Sequence, residues 1–283
     1  SEVRGHVREF SLDPAGCRVV QKALSVAGRS EATLLIAELN GFVRAAISSP
    51  SGNYVIQKVV EVMPVNSVEF ISAELDDVAL DMARHQYGCR VFCRLMEHHQ
   101  GCAGLSGRLF DEVVGDTAAL CCHCYGHHVI ESVLEHGTCD QKHRIATALR
   151  GDLLGNARNR YATFVLRKAL MFCHFAAQQE FVVALIGDVQ QLSSLVETQT
   201  GFSVVKTVLR MPKECLQPAL TLVKAQPVPD ATPTRARRVL QELHEIDAGV
   251  CLPVRAQASR HCTTDPRFCG ASQRGAVAHV VSR

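Results

Sequence analysis

The sequence predicts an all-α protein, an α-solenoid built from stacked helical repeats. A motif made of a small residue, two variable residues, Val, and a further apolar residue recurs along the chain. The position after the small residue, here called the first position, falls at 17, 53, 89, 127, 163 and 202, so the spacing is 36 to 39 residues. A fixed period of this length is typical of repeat architectures. Apolar residues make up 47% and aromatic residues only 5%, which favours packed aliphatic helices over an aromatic-rich β-sandwich.

Each motif predicts one helix. In the second motif, Val55, Ile56 and Val59 form an apolar stripe, while Asn53 and Gln57 follow each other at i and i+4 on another face. The small residue at each helix start lets neighbouring backbones approach closely. One such unit cannot bury its apolar stripe alone, but a stack of units can.

The domain organisation follows from where this pattern begins and ends. Residues 5–24 are already repeat sequence, so one or more further repeats are expected upstream. The amphipathic segment 235–244 follows a Pro-rich linker and predicts a C-terminal cap helix. We assign residues 1–248 to the repeat domain and 249–283 to a basic tail, predicted to be disordered because five Arg stand against one Asp in 255–283.

Composition argues against a membrane-spanning protein and against a secreted disulfide-rich protein. The formal net charge of +2 does not by itself point to a nucleic-acid partner. No apolar stretch approaches the ~18–20 residues needed to span a bilayer, so no membrane partner is expected. The 13 cysteines lack the spacing of a secreted disulfide scaffold, which indicates reduced thiols in a cytosolic or nuclear protein.

Two motifs carry a specific resemblance to a known family. The strings Gly-Cys-Arg-Val-x-Gln at 16–21 and Gly-Asn-Tyr-Val-Ile-Gln at 52–57 resemble the Pumilio (PUF) family of RNA-binding proteins. Flanking segments are also similar at 3–7, 38–43 and 133–137. The resemblance covers roughly residues 1–248, in register with the third to eighth of the family's usual eight repeats plus the C-terminal cap.

The resemblance implies how each repeat meets its ligand. The first and fifth positions of the motif helix contact the edge of one base, and the second position stacks between bases. The partner would be single-stranded mRNA, with protein co-regulators on the convex face. The candidate RNA-binding residues are therefore Cys17, Arg18, Gln21, Asn53, Tyr54, Gln57, Cys89, Arg90, Cys93, His127, His128, Glu131, Thr163, Phe164, Arg167, Phe202, Ser203 and Lys206.

The first four triplets resemble the family's base-binding sets to different degrees. The first resembles an adenine set and the second a uracil set, since the amides of Asn53 and Gln57 match the uracil edge. The third begins as an adenine set, but Cys93 stands where Gln is expected, and a thiol is a weak donor. The fourth fits no standard set of the family, although His128 provides a stacking ring and the Glu131 carboxylate can accept from a guanine edge.

The last two triplets depart further. Arg167 stands where a family member would carry Glu, and Lys206 replaces Gln. The aromatic residue of the last motif, Phe202, is displaced by one position. The last three repeats are those that read the 5′ UGU of the family's target, so the standard target is not expected here. Arg167 and Lys206 are better suited to phosphate, which gives affinity without sequence information.

A zinc site is one competing interpretation of the same region. Cys121 and Cys124 have ligand spacing, which His127 continues. The repeat register instead places residues 125–126 at a helix start and His128 as a stacking residue, and no second Cys/His pair follows. We therefore predict neither a metal nor another cofactor.

Two functions remain open from the sequence. The leading one is sequence-selective binding of mRNA 3′ UTRs by a cytoplasmic monomer that regulates translation and decay. The alternative is a degenerate Pumilio-like protein with general RNA-binding in the nucleolus or a protein-scaffold role, suggested by the departures at Arg167 and Phe202. No Walker loop, GxGxxG or catalytic constellation stands out, so no enzymatic activity is predicted.

Overall fold

The computed structural model describes residues 3–98 and 105–249, and these fold as six units of three helices followed by one further helix. The first helices are α1 (Val7–Leu12), α4 (Val43–Ser48), α7 (Ala79–Arg84), α10 (Thr117–Cys121), α13 (Leu153–Arg158) and α16 (Val189–Glu197). The second, or motif, helices are α2 (Gly16–Val26), α5 (Gly52–Val62), α8 (Gly88–His98), α11 (Gly126–His136), α14 (Ala162–Phe172) and α17 (Gln199–Val208). The third helices are α3 (Arg29–Ala37), α6 (Glu69–Leu75), α9 (Leu105–Gly115), α12 (Cys139–Arg150), α15 (Phe175–Ile186) and α18 (Lys213–Lys224), and the last helix is α19 (Thr234–Asp247).

The predicted all-α solenoid is confirmed. Each motif helix packs against the motif helices of the preceding and following units, so the six form one continuous row. Beyond the last unit, α19 packs against α16 and α18 and buries Ala236, Val239, Leu240 and Leu243. The predicted disordered tail lies outside the described residues apart from Gly249.

A side-chain acceptor four residues before each first position fixes the start of the motif helix. Asp13 Oδ1 accepts from the backbone N–H groups of Ala15 and Gly16 at 2.9 and 2.6 Å. The same arrangement recurs at Ser49, His85, His123 and Asn159. Each acceptor satisfies N–H groups that have no partner within the helix itself.

The small residue of the motif sets the distance between the first and second helices of a unit. A Cβ atom added at Gly52 would lie 2.5 Å from the carbonyl oxygen of Ala46 on α4, and one at Gly88 would lie 2.2 Å from that of Met82 on α7. In the fifth unit Ala162 takes this place and is fully buried. The small residue is therefore required by close helix packing.

In each of the first two units a glutamate near the end of the unit bonds to the start of that unit's first helix. Glu38, just after α3, accepts from the backbone N–H groups of Gly5 and Val7 at 2.7 and 3.0 Å, and Gly5 adopts a φ of +88°. Glu74 on α6 makes the same contacts with Gly41 and Val43 at the start of α4, in its own unit. These bonds satisfy helix-start donors within each unit.

Within the described ranges, none of the helices combines the length and the apolar character that a membrane span requires.

Candidate nucleic-acid interface

The candidate residues repeat one pattern of exposure along the row of motif helices. In the first five units the first position is buried, the second is exposed and the fifth is partly buried. The buried residues are Cys17, Asn53, Cys89, His127 and Thr163; the exposed ones are Arg18, Tyr54, Arg90, His128 and Phe164; and the partly buried ones are Gln21, Gln57, Cys93, Glu131 and Arg167. The face formed by these fifteen side chains is called the motif face below.

The first-position side chains donate hydrogen bonds to the chain just before their own helix. Asn53 has no exposed surface, and its Nδ2 donates to the carbonyl oxygens of Ser49 and Pro50 at 2.8 and 3.0 Å. His127 and Thr163 likewise donate to the carbonyl four residues earlier, at 2.8 and 2.6 Å. The donor groups of these side chains are therefore used internally.

The fifth position of the second unit is oriented by the first. Gln57 Nε2 donates to Asn53 Oδ1 at 2.9 Å, so the Gln57 carbonyl oxygen and its second N–H point to other partners. The sequence led us to expect both amides at the base edge. The structure instead places Asn53 beneath Gln57, where it fixes the orientation of the Gln57 amide.

The exposed second-position side chains of the second and third units are neighbours. Tyr54 and Phe164 are each 45% exposed, which is unusual for large aromatic side chains on a packed helix. Arg90 Nη1 lies 3.4 Å from the hydroxyl oxygen of Tyr54, one unit away. The motif face thus carries a file of flat or planar-tipped side chains, one from each of the first five units.

The fifth position of the third unit, Cys93, contacts the motif helix of the fourth unit, α11. The thiol of Cys93 lies 3.5 Å from the carbonyl oxygen of His128, and Ser132 Oγ donates to the Cys93 carbonyl at 3.5 Å. Burial raises the pKa of the Cys93 thiol to about 12. At neutral pH the thiol is therefore protonated and can act only as a weak donor.

The fourth unit has a compact polar cluster. Glu131 Oε1 lies 3.9 Å from His127 Nε2 and 3.7 Å from His128 Nδ1. Burial lowers the pKa of both imidazoles and raises the pKa of the Glu131 carboxyl. The His127 ring also stacks on Phe164 of the fifth unit, with centroids 5.8 Å apart.

The structure does not bring together the zinc ligands that the sequence offered as an alternative. Cys121 is buried at the end of α10, where its thiol lies 3.3 Å from the carbonyl oxygen of Ala118 and 3.7 Å from Asn156 Oδ1. In the portion of the chain with described side chains, Cys121 and Cys124 do not share a ligand cluster with His127.

The last two units differ from the first four because their fifth position is a cation, Arg167 in the fifth unit and Lys206 in the sixth. Arg167 Nε donates to Thr207 Oγ1 of the sixth unit at 3.1 Å. Phe202 packs partly buried against the core, and its ring is covered by Lys206 Nζ at 4.4 Å and by the Arg235 guanidinium at 4.8 Å from the centroid. These are cation–π contacts. Ser203 is partly buried, so the sixth unit presents no exposed stacking side chain at the second position.

Sequence reasoning missed two sets of residues that shape this face. The capping acceptors Asp13, Ser49, His85, His123 and Asn159 position the first-position side chains, and they form an alignable column of acceptor side chains four residues before the first position. Arg235 was assigned to the cap helix alone. No local signal links it to Phe202, because the two residues meet only through the packing of α19.

The fold and the motif face define a helical repeat protein that displays one polar triplet per unit along a continuous row of helices. Residues 6–39, 48–75, 79–98 and 117–149 match the model of the Pumilio-family RNA binding repeat. The first four units of the chain thus carry Pumilio-family (PUF) repeats.

Solved structures show the same fold. One is PUF-8 in complex with PBE-RNA, at 23% identity and a TM-score of 0.75, covering 86% of this chain and 72% of that one. Another is the Puf4 RNA binding domain bound to the HO endonuclease RNA 3′ UTR recognition sequence, at 21% identity and a TM-score of 0.71, covering 85% and 77%. The RNA-binding domain of yeast Puf5p bound to SMX2 RNA matches at 17% identity and a TM-score of 0.66, covering 88% and 72%.

Proposed function

We propose that this protein binds single-stranded RNA sequence-selectively along the motif face, with one base to each of the first five units. The observation that carries this proposal is the buried, exposed and partly buried pattern at positions one, two and five, which recurs in five consecutive units. The family description as an RNA binding repeat supports it, as do the RNA complexes of structurally similar proteins.

The geometry suits a base held between neighbouring second-position side chains. An aromatic ring such as Tyr54 or a planar guanidinium such as Arg90 can stack on a base face, at about 1–3 kcal/mol per base. The fifth position then lies beside the base edge. In the second unit, the Gln57 carbonyl oxygen can accept from uracil N3–H while its remaining N–H donates to O4, because Asn53 holds the amide in place.

The biological role that we propose is binding to mRNA 3′ UTRs and regulation of translation and decay in the cytoplasm. Structurally similar proteins are bound to 3′ UTR recognition sequences, which supports this assignment. The protein would act as a monomer and a binding module with no catalysis of its own. Protein co-regulators would contact the convex face, which RNA leaves free.

A direct test is binding to RNAs that contain or lack a 5′-UA-3′ step. The chain and the RNA would run antiparallel, so the base at Gln57 precedes the base at Gln21. Each correct base is expected to contribute a discrimination of about 1–3 kcal/mol, measured by fluorescence anisotropy against an RNA with the step scrambled. Equal affinity for the two RNAs would refute selective readout at these units.

A second candidate is general RNA binding or a scaffold role, for example in the nucleolus. The cations Arg167 and Lys206 favour it, because cationic side chains suit phosphate rather than base edges. The ring of Phe202 also favours it, because Lys206 and Arg235 cover the ring that would otherwise stack on a base. General binding would give equal affinity for scrambled RNAs and a steep salt dependence. A scaffold would show no affinity for RNA even at low salt.

A further inference from the structure

Three potential metal ligands converge at the start of α11. One nitrogen each from His127 and His128 and one carboxylate oxygen from Glu131 all lie within 4.8 Å of one another. Across residues 3–98 and 105–249 this is the single set of three His, Cys, Asp or Glu side chains that meets this distance. Glu131 Oε1 lies 3.9 Å from His127 Nε2 and 3.7 Å from His128 Nδ1.

The tautomer of His127 is fixed by its backbone partner. Its Nδ1 lies 2.8 Å from the carbonyl oxygen of His123, and a carbonyl can only accept, so Nδ1 carries the proton. Nε2 therefore presents a lone pair towards the Glu131 carboxylate. A metal-bound histidine is held in the same way, with its other ring nitrogen donating to a carbonyl or carboxylate.

His127 Nε2, His128 Nδ1 and Glu131 Oε1 can each present a lone pair towards one point. A divalent cation at that point would bind all three atoms and would separate acceptors that otherwise face each other at 3.7 and 3.9 Å.

We propose that His127 Nε2, His128 Nδ1 and Glu131 Oε1 form a binding site for one Zn²⁺ ion or a chemically similar divalent transition metal. This site goes beyond RNA binding and does not depend on it. Two imidazoles and one carboxylate are a known zinc ligand set that leaves a fourth position open. Bonds of about 2.0–2.2 Å place tetrahedral ligands about 3.3–3.5 Å apart, so the Glu131 oxygen needs to approach each imidazole nitrogen by only a few tenths of an ångström.

The test uses the full chain, reduced and free of RNA, with the metal alone as probe. Titration with Zn²⁺ by calorimetry is expected to show one site. Because the chain has 13 cysteines, Co²⁺ absorption spectra identify the ligands. A site made of nitrogen and oxygen ligands gives ligand-field bands without a thiolate-to-cobalt charge-transfer band. A thiolate band that accounts for the bound ion and is lost in Cys124→Ser would overturn the assignment.

Single substitutions make the test specific. His128→Gln and Glu131→Gln are each expected to weaken the metal affinity at least tenfold, in line with the loss seen even for supporting residues of metal sites. His128 is exposed, so its substitution should leave the thermal unfolding midpoint unchanged. His143→Gln is the matched control, because His143 faces His174 at 3.4 Å but has no third ligand. Wild-type affinity in both His128→Gln and Glu131→Gln would refute the site.

Discussion

Replacing Gln57 by Ala separates base readout from folding more cleanly than any other change on the motif face. The Gln57 amide is partly exposed and makes one internal hydrogen bond, from Nε2 to Asn53 Oδ1 at 2.9 Å. Asn53 beneath it is fully buried and donates to two backbone carbonyls. Gln57→Ala therefore removes the contact with the base edge but leaves the helix start intact. Asn53→Ala removes the hydrogen bond that orients Gln57 and also the hydrogen bonds to the chain before the helix.

The structure predicts different losses of stability and of base discrimination for the two variants. Gln57→Ala should lower the free energy of unfolding by about 0.5–1.5 kcal/mol, the net value of one partly exposed hydrogen bond. It should also remove about 1–3 kcal/mol of discrimination at the uracil, or roughly 5- to 140-fold in relative affinity. Asn53→Ala leaves the Ser49 and Pro50 carbonyls without their side-chain donor, and buried unsatisfied groups cost about 1–3 kcal/mol.

The assay compares two RNAs that differ only in U or C at the base opposite Gln57. Fluorescence anisotropy gives the U-to-C affinity ratio, and urea unfolding gives the stability of each variant. Glu61→Ala is the control on the same helix, since Glu61 pairs with Lys58 one turn beyond the readout positions. If Gln57→Ala kept the wild-type U-to-C ratio, the assignment of Gln57 to the base edge would be wrong.

Three further predictions follow from packing, burial and charge. Gly52→Ala should lower the free energy of unfolding by about 1–3 kcal/mol, because its Cβ would meet the Ala46 carbonyl oxygen at 2.5 Å. Gly115→Ala, which meets nothing within 4 Å, should not lower it, and equal losses in urea unfolding would contradict the packing argument. Iodoacetamide at pH 8 should label the exposed Cys122 well before Cys93, whose pKa burial raises to about 12, as peptide mapping by mass spectrometry would show. Arg167→Ala should reduce the slope of log affinity against log salt by about 0.7 for single-stranded RNA if Arg167 meets a phosphate, and an unchanged slope would exclude that contact.

The fold was predictable because the same apolar stripe and a small residue recur in each motif. The apolar stripe formed by Val55, Ile56 and Val59 has equivalents in the other motifs. The small residue of each motif marks the close approach to the preceding helix. The burial of Asn53 was not predictable, since it depends on where the preceding turn places the carbonyls of Ser49 and Pro50. A helix pattern gives the face of a residue but not the path of the loop before it.

The sixth unit shows a second limit of reasoning from local pattern. Phe202 was interpreted as a stacking residue displaced by one position, on the basis of its own motif. In the structure its ring contacts Lys206 on the same helix and Arg235 on α19, more than thirty residues away. Only the packing of α19 against α16 and α18 brings that guanidinium over the ring. Contacts across such sequence distances have no signature in a single sequence without an alignment.

The fourth unit joins the two proposals in one competition experiment. A Zn²⁺ ion held by His127, His128 and Glu131 would occupy the Glu131 oxygen and the His127 nitrogen, both of which belong to the motif face. A base edge could then no longer be read by Glu131, so one equivalent of Zn²⁺ should lower RNA affinity by the value of one base contact, about 1–3 kcal/mol or roughly 5- to 140-fold. In His128→Gln the added ion should have no such effect. An equal loss of RNA affinity in wild type and in His128→Gln would mean that Zn²⁺ acts elsewhere, for instance on exposed thiols such as Cys122.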